Sequence, residues 1–416
     1  MKIFRQITLI ILFLLIWTAF IVFGFIDGFL LRPITSENTP EAFIEASKEK
    51  IDSEFVGNLA MVLIEDGQVS KDFFYAIDQP VDEHSLFPVA SISKWVTSFG
   101  VMKLVEQGKL DLDTPIDDYL TRWNLPESEF DNRKVTIRKL LSHSSGLVDD
   151  LGYNGFTSDE TVQTIEESLT KAADAPYSEG VARVGYEPGS KYMYSGAGYT
   201  ILQLLIEEIS GLSFQEYMTK AVFEPLGMEN STFVSSENSK KLLVPVYKND
   251  GTTRPFNTFT ALGAAALQTS TSDLSKFLMA SVSSNTVLTQ STINVMSKPE
   301  TFINDIGVYG LGPHLYSQKD TQSHIIGHDG SGNNAINSAA RIDLKSKDGI
   351  IVFETGNFNI ASSIADEWIF WKTGIADFVV MQRNKSYLLT LLIAGYVIII
   401  ALSILLIRKK STLKEA

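Results

Sequence analysis

A hydroxyl and an amine three residues apart on a helix can act as nucleophile and base, and Ser91-Ile92-Ser93-Lys94 supplies such a pair. A serine hydroxyl attacks poorly until a base takes its proton. A lysine serves as that base only where burial or neighbouring positive charge disfavours its ammonium form. The spacing alone is common in this chain: S-x-x-K recurs at Ser47 and Lys50, Ser168 and Lys171, and Ser411 and Lys414. Context separates Ser91 and Lys94 from these. Phe87-Pro88 reads as a strand end and a turn, after which the pattern becomes helical. Ile92, Trp95, Val96, Phe99, Met102 and Val105 form an apolar face, with Ser91, Lys94 and Ser98 opposite and Gly108 as the stop. Two later stretches could face this pair: Tyr194-Ser195-Gly196, and Gly327-His328-Asp329-Gly330-Ser331-Gly332 ahead of a late hairpin.

The elements that must position these residues follow from periodicity and turn chemistry. Residues 58–64 and 71–77 flank Glu65-Asp66-Gly67, and residues 335–342 and 350–355 flank Lys347-Asp348-Gly349, two hairpin signatures. Between them lie helical patterns at 115–120, 136–141, 199–209 (stopped by Gly211), 214–222 (closed by Pro225-Leu226-Gly227) and 271–280. Ser272 or Asp273 is the expected cap of the last. Pro40 opens a short helix, residues 359–378 form a closing one, and the acidic stretch 149–185 reads as helical or irregular surface. His143, in Ser142-His143-Ser144-Ser145-Gly146, is assigned a turn and capping role. Strands at the extremities with helices between predict an α/β (α+β) fold: an antiparallel sheet flanked by helices, with a large, mostly helical insertion.

Composition narrows the function. The 416-residue chain has a formal net charge of −14, a pI near 4.9 and no cysteine. Thiol catalysis, disulfides and cysteine–zinc sites are excluded, and without a basic stripe no nucleic-acid partner is expected. The five histidines show no ligand spacing, so neither a metal nor a cofactor is expected. Residues 6–25 carry no charge and follow Lys2 and Arg5, which predicts an uncleaved anchor with a cytoplasmic N-terminus; a cleaved signal peptide is the rival reading. Residues 387–407 form a second apolar run, stopped by Arg408, Lys409 and Lys410. The expected organisation is an anchor at 1–30, an extracytoplasmic domain at 31–380, a transmembrane helix at 386–408 and a cytoplasmic tail at 409–416, in the cell membrane with both termini inside. Oligomeric state is left open.

Taken in order, Ser91-Ile92-Ser93-Lys94, Tyr194-Ser195-Gly196 and His328-Asp329-Gly330 resemble the S-x-x-K, Y-x-N and K-T-G or H-x-G motifs of the serine hydrolases related to class C β-lactamases and low-molecular-weight penicillin-binding proteins. The stretches EQGKLDLDTPIDDYL, TIRKLLSHSSGL and GLSFQEYMTKAVFEPLGMENSTF extend the resemblance over roughly residues 55–356. It implies a β-lactamase/transpeptidase-like fold and an acyl-enzyme mechanism. Ser91 is then the nucleophile, Lys94 its base, and Tyr194 partner base and acid to the leaving group. His328 shapes the local field, and the N–H groups of Ser91 and Ser331, beside Gly330, form an oxyanion hole. The implied substrate is a small or cell-envelope amide or ester, such as a D-amino-acid peptide or a D-alanyl ester. Gly196 departs from the family's usual Asn. The lost amide predicts weak β-lactam hydrolysis, and it motivates an alternative reading as a non-catalytic binding or assembly protein. No G-x-S-x-G occurs, so an α/β-hydrolase elbow is not expected.

Overall fold

The computed structural model describes residues 2–51, 55–148, 152–176, 178–316, 324–332 and 335–415. Residues 149–151 and 177 of the acidic stretch thus lie outside the described residues, as do the side chains of Lys409 and Lys410. The chain divides into two compact units, Ser47–Ala365 and a second formed by Met1–Ala46 with Asp366–Ala416.

The larger unit contains an eight-stranded sheet. Its strands are β1 (Asn58–Glu65), β2 (Gln68–Tyr75), β3 (Thr301–Ile303), β4 (Ile306–Tyr309), β5 (His314–Leu315), β6 (Ile325–Gly332), β7 (Ile336–Asp343) and β8 (Gly349–Thr355). They run in the order β2-β1-β8-β7-β6-β5-β4-β3, every neighbouring pair whose register is resolved being antiparallel. The first and last hairpins therefore pair with each other, β1 against β8, which is why the chain's two ends are needed to make one sheet. The β1–β2 turn is tighter than the sequence suggests. Asp66 and Gly67 both take positive φ (49° and 78°), as a two-residue hairpin loop requires, so β2 begins at Gln68 rather than at Lys71.

The sequence reading left out β3, β4 and β5. Each has four residues or fewer, too short to establish a period of two. It also placed the His328 motif ahead of a hairpin, whereas that motif is itself the end of β6. The cap of the helix Thr271–Ala280 is Ser270, not Ser272 or Asp273: the Ser270 hydroxyl accepts from the Asp273 N–H.

The helix Ile92–Glu106 packs between β6–β7 and the helix Gly196–Ser210. It is buried nearly all round, Ser93, Lys94, Thr97 and Ser98 included. The expected polar face is an internal one. The buried hydroxyls of the helix are satisfied locally: Ser93 donates to Ala90 O, Thr97 to Gly263 O and Ser98 to Trp95 O. On the apolar side Trp95 and Phe99 pack against Phe277, with ring centroids 5.2 and 4.7 Å apart. Burial of such rings is worth roughly 1.5–3 kcal/mol each, which holds the helix rigidly in the core.

In the smaller unit the helices Lys2–Asp27 and Phe378–Glu415 pack together. Trp17 Nε1 donates to Leu392 O at 3.2 Å, and the indole lies where a Cβ on Gly395 would come within 2.0 Å of that nitrogen. Both helices contain stretches, Phe4–Asp27 and Phe378–Arg408, long and apolar enough to cross a membrane.

Candidate active site

The turn before Ser91 sets the site's geometry. Phe87–Pro88 pairs with Gln268–Thr269, and Val89 N–H donates to Leu267 O at 3.0 Å. Ala90 then takes φ +44°, an unfavourable region for a residue with a Cβ. Ser91 follows at the N-terminus of the helix Ile92–Glu106, where its side chain makes no capping bond. Its hydroxyl is thereby left to other partners. The end of β6 presses on this turn. A Cβ on Gly330 would lie 2.1 Å from Val89 O, 2.5 Å from Ser338 Oγ and 3.0 Å from Ser91 N, so only glycine fits. Ser338 Oγ donates to Val89 O at 2.8 Å, and Asn337 Nδ2 to Gly330 O at 3.1 Å. Strand and turn are thus tied together beside the Ser91 N–H, with Ser331 next along the strand.

Lys94 is buried, and its Nζ lies 3.1 Å from Ser91 Oγ and 2.8 Å from Ala264 O. Gly196 begins the next helix and lines the same cavity, with no amide to offer. The Ala264 carbonyl accepts a hydrogen bond from the amine and so helps to orient it. Tyr194 lies across from the pair, its ring centroid 5.0 Å from Lys94 Nζ and its hydroxyl facing Ser91. Burial raises the Tyr194 pKa well above a free phenol's, with the nearby Ser91 hydroxyl opposing that shift. The phenol holds its proton at neutral pH.

Behind Tyr194 stands a buried cluster of histidines and tyrosines. His143, at φ +55° in its turn, packs its ring under Tyr194 with centroids 4.3 Å apart. Its Nδ1 accepts from Ser195 N–H at 3.0 Å, which assigns the ring proton to Nε2 and fixes the start of the Gly196–Ser210 helix. His328 Nε2 lies 2.9 Å from the Tyr309 hydroxyl, and its Nδ1 faces Asp329 O. His314 meets His328 edge-on at 4.7 Å and lies parallel to Tyr194 at 6.3 Å. Burial lowers all three pKa values first. His314 comes to about 4, and His143 and His328 fall well below the usual imidazole value. Asp329 turns away from this cluster to Arg341, which holds it with two bonds of 2.8 and 3.0 Å.

All the residues singled out by sequence converge. Ser91, Lys94, Tyr194, Gly196 and Ser331 line one cavity of about 310 Å³, and His328 and Gly330 line an adjoining one that shares Ser91, Tyr194 and Ser331. Reasoning from sequence missed Ala264, His314 and Tyr309, which carry no motif. It gave His143 its turn but not its place beneath Tyr194. The signal available was the buried polar run around His143, whose ring needs partners when a turn is pressed into the core.

A family model described as Beta-lactamase matches residues 49–369. Penicillin-binding protein 4* of Bacillus subtilis (strain 168) is 36% identical over 154 residues, 37% of this chain and 32% of that protein. Protein flp of Staphylococcus aureus (strain MRSA252) is 24% identical over 228 residues, 53% of this chain and 44% of that protein. The alignments thus span less than half the length of these curated relatives. A solved structure described as the octameric penicillin-binding protein homologue from Pyrococcus abyssi is similar at a TM-score of 0.67 and 27% identity, covering 81% of this chain and 77% of that one.

Proposed function

Because the chain belongs to this β-lactamase family, we propose that it is a serine hydrolase that cleaves an amide or ester through an acyl-enzyme on Ser91. The observation that carries the reading is the buried Lys94 amine 3.1 Å from Ser91 Oγ, at a turn held by Gly330 against the Ser91 N–H. Burial of an ammonium is costly, which favours the neutral amine that can accept a proton. Ser91 Oγ attacks the substrate carbonyl carbon while its proton passes to Lys94. The oxyanion that forms is held by the N–H groups of Ser91 and Ser331. As the tetrahedral species collapses, Tyr194 gives its proton to the leaving group and regains one from Lys94. Water then attacks the acyl carbon and loses its proton by the same route, releasing the acid and restoring Ser91.

The raised Tyr194 pKa supports an assignment of the phenol as acid rather than resting base, with Lys94 as the base. The three neutral histidines add no positive charge to a site that must accommodate protonated Lys94 in mid-reaction. The substrate class we propose is a D-amino-acid peptide or D-alanyl ester of the cell envelope. The two apolar helices support tethering in the cell membrane with the Ser47–Ala365 unit outside and both termini within. A non-catalytic binding role loses its main motive once Ala264 O supplies the anchor for Lys94 that Gly196 lacks.

Full-length protein in neutral detergent, offered D-alanyl peptides, D-alanyl esters and nitrocefin, should hydrolyse at least one of the first two. Ser91→Ala should not. Turnover of none of them by the wild type, or equal turnover by both proteins, overturns the reading. Topology is open to a direct test because the chain has no cysteine. Ser70→Cys, exposed on β2, should react in intact cells with a membrane-impermeant maleimide; labelling only after lysis contradicts the outward orientation.

A further inference from the structure

Beyond Tyr194 lies the adjoining cavity, of about 310 Å³, which shares Ser91, Tyr194 and Ser331 with the first. The wall of the first is rich in aromatic rings, among them Tyr153, Phe256 and Phe259, whereas the adjoining one presents His314, His328, Asp329, Asn337 and Ser362. Most of these polar groups are already committed. His328 has the Tyr309 hydroxyl at Nε2 and the Asp329 carbonyl at Nδ1. Asp329 is held by Arg341. Asn337 donates to Gly330 O and Ser362 Oγ and accepts from Ser362 N. His314 differs. Its backbone is fixed on β5 between Tyr309 of β4 and Gly327 of β6, and its half-buried ring packs 4.6 Å from Tyr309 and 4.7 Å from His328. Among the described residues neither of its ring nitrogens has a hydrogen-bond partner. Packing alone asks only for an aromatic ring at this place, and a phenyl would supply it without two polar atoms partly stripped of water. Burial brings the His314 pKa down to about 4 against the pull of Asp329, so at neutral pH the ring is uncharged and keeps one donor and one acceptor.

From this placement we infer that His314 is a specificity-determining residue for substrates bearing a hydroxyl on the arm that lies in this cavity. The inference rests on the serine hydrolase reading and narrows its substrate. A carboxylate offers no donor and an ammonium no acceptor. A hydroxyl offers both in one atom and satisfies either tautomer of the ring. A methyl in the same place leaves the imidazole with neither partner nor water, which is how a polar site rejects an isostere. The cavity lies at the small end of ligand sites, which limits the arm to a few carbons or one ring.

The test uses the full chain in neutral detergent and two matched pairs of aryl esters, each exchanging a terminal hydroxyl for a methyl. In one pair the exchange is on the acyl arm (phenyl 3-hydroxymethylbenzoate against phenyl 3-ethylbenzoate). In the other it is on the leaving group (the acetates of 3-hydroxymethylphenol and 3-ethylphenol). In at least one pair the hydroxyl ester should have the higher kcat/KM by roughly 3-fold to 10-fold, from the net worth of a neutral hydrogen bond. His314→Phe and His314→Leu should each bring that ratio to one or below, and His314→Gln, which keeps a donor and an acceptor, should retain part of it. A ratio at or below one in both wild-type pairs overturns the inference while leaving the hydrolase reading intact. A ratio unchanged in either apolar variant does so too. Absence of Ser91-dependent hydrolysis of every ester overturns both.

Discussion

Replacing Gly330 with alanine probes the contact on which the oxyanion geometry depends. The added methyl would sit 2.1 Å from Val89 O and 3.0 Å from Ser91 N, both backbone atoms that cannot rotate away. To reach a tolerable separation, the end of β6 must back off from the Ser91 turn by about 1 Å. A misplacement of that size at a reacting centre costs on the order of 100-fold, and loss of one oxyanion donor costs about 10²- to 10³-fold in kcat. The acylation rate, followed as the burst of nitrophenol from a nitrophenyl ester, should fall by roughly that range. Gly327→Ala is the control. It brings a clash of the same depth, 2.1 Å to Ala340 O, on the same strand but against β7. Both variants should lose thermal stability by similar amounts, since overpacking costs about 1–3 kcal/mol, but Gly330→Ala should lose far more acylation. A folded Gly330→Ala protein that acylates within about threefold of wild type refutes the argument. So do equal losses of activity in the two variants.

Further outcomes follow from the buried polar groups. His143→Leu leaves the buried Ser195 N–H without its acceptor and should destabilise the protein by about 1–3 kcal/mol; an unchanged Tm contradicts the assigned bond. Glu354 on β8 accepts from Ile360 N at 3.0 Å, and burial raises its pKa to about 8. The native state then keeps a proton that the unfolded chain gives up near pH 4.5, so its contribution worsens as pH rises from about 4.5 to 8 and is level above that. Glu354→Gln should raise Tm relative to wild type at pH 8, with the gain vanishing towards pH 5; a gain independent of pH contradicts the shift. The lowered histidines act in the opposite sense. Below pH 6.5 the unfolded chain binds protons that His143, His314 and His328 refuse, so stability falls from about pH 6.5 down to 4, where His314 begins to charge. His314→Phe should flatten the wild-type decline of Tm over that interval, and an identical slope in both proteins contradicts it.

Much of this site was legible before any coordinates. Ser91, Lys94, Tyr194 and the His328-Asp329-Gly330 stretch carry their chemistry in residue types and order, and the Glu65-Asp66-Gly67 and Lys347-Asp348-Gly349 stretches announce the hairpins of the sheet. The central helix was legible as a helix but not as a buried one, because the face carrying Lys94 and Ser98 reads as polar until its carbonyl partners are seen. The strands β3 to β5 escaped because pairing, not propensity, makes four residues or fewer into a strand. The anchor of Lys94 escaped for a different reason. A backbone carbonyl such as Ala264 O has no side-chain signature, and it reaches the amine across 170 residues of chain.

The central claim is that Ser91, activated by Lys94, forms the covalent intermediate. Mass spectrometry of the full chain after reaction with a fluorophosphonate tests it most directly, with the modified peptide then sequenced. The account predicts a single adduct on Ser91, absent in Ser91→Ala and formed at least 100-fold more slowly in Lys94→Gln, on the scale of losing a general base. An adduct on another residue, or equal labelling of wild type and Ser91→Ala, contradicts it.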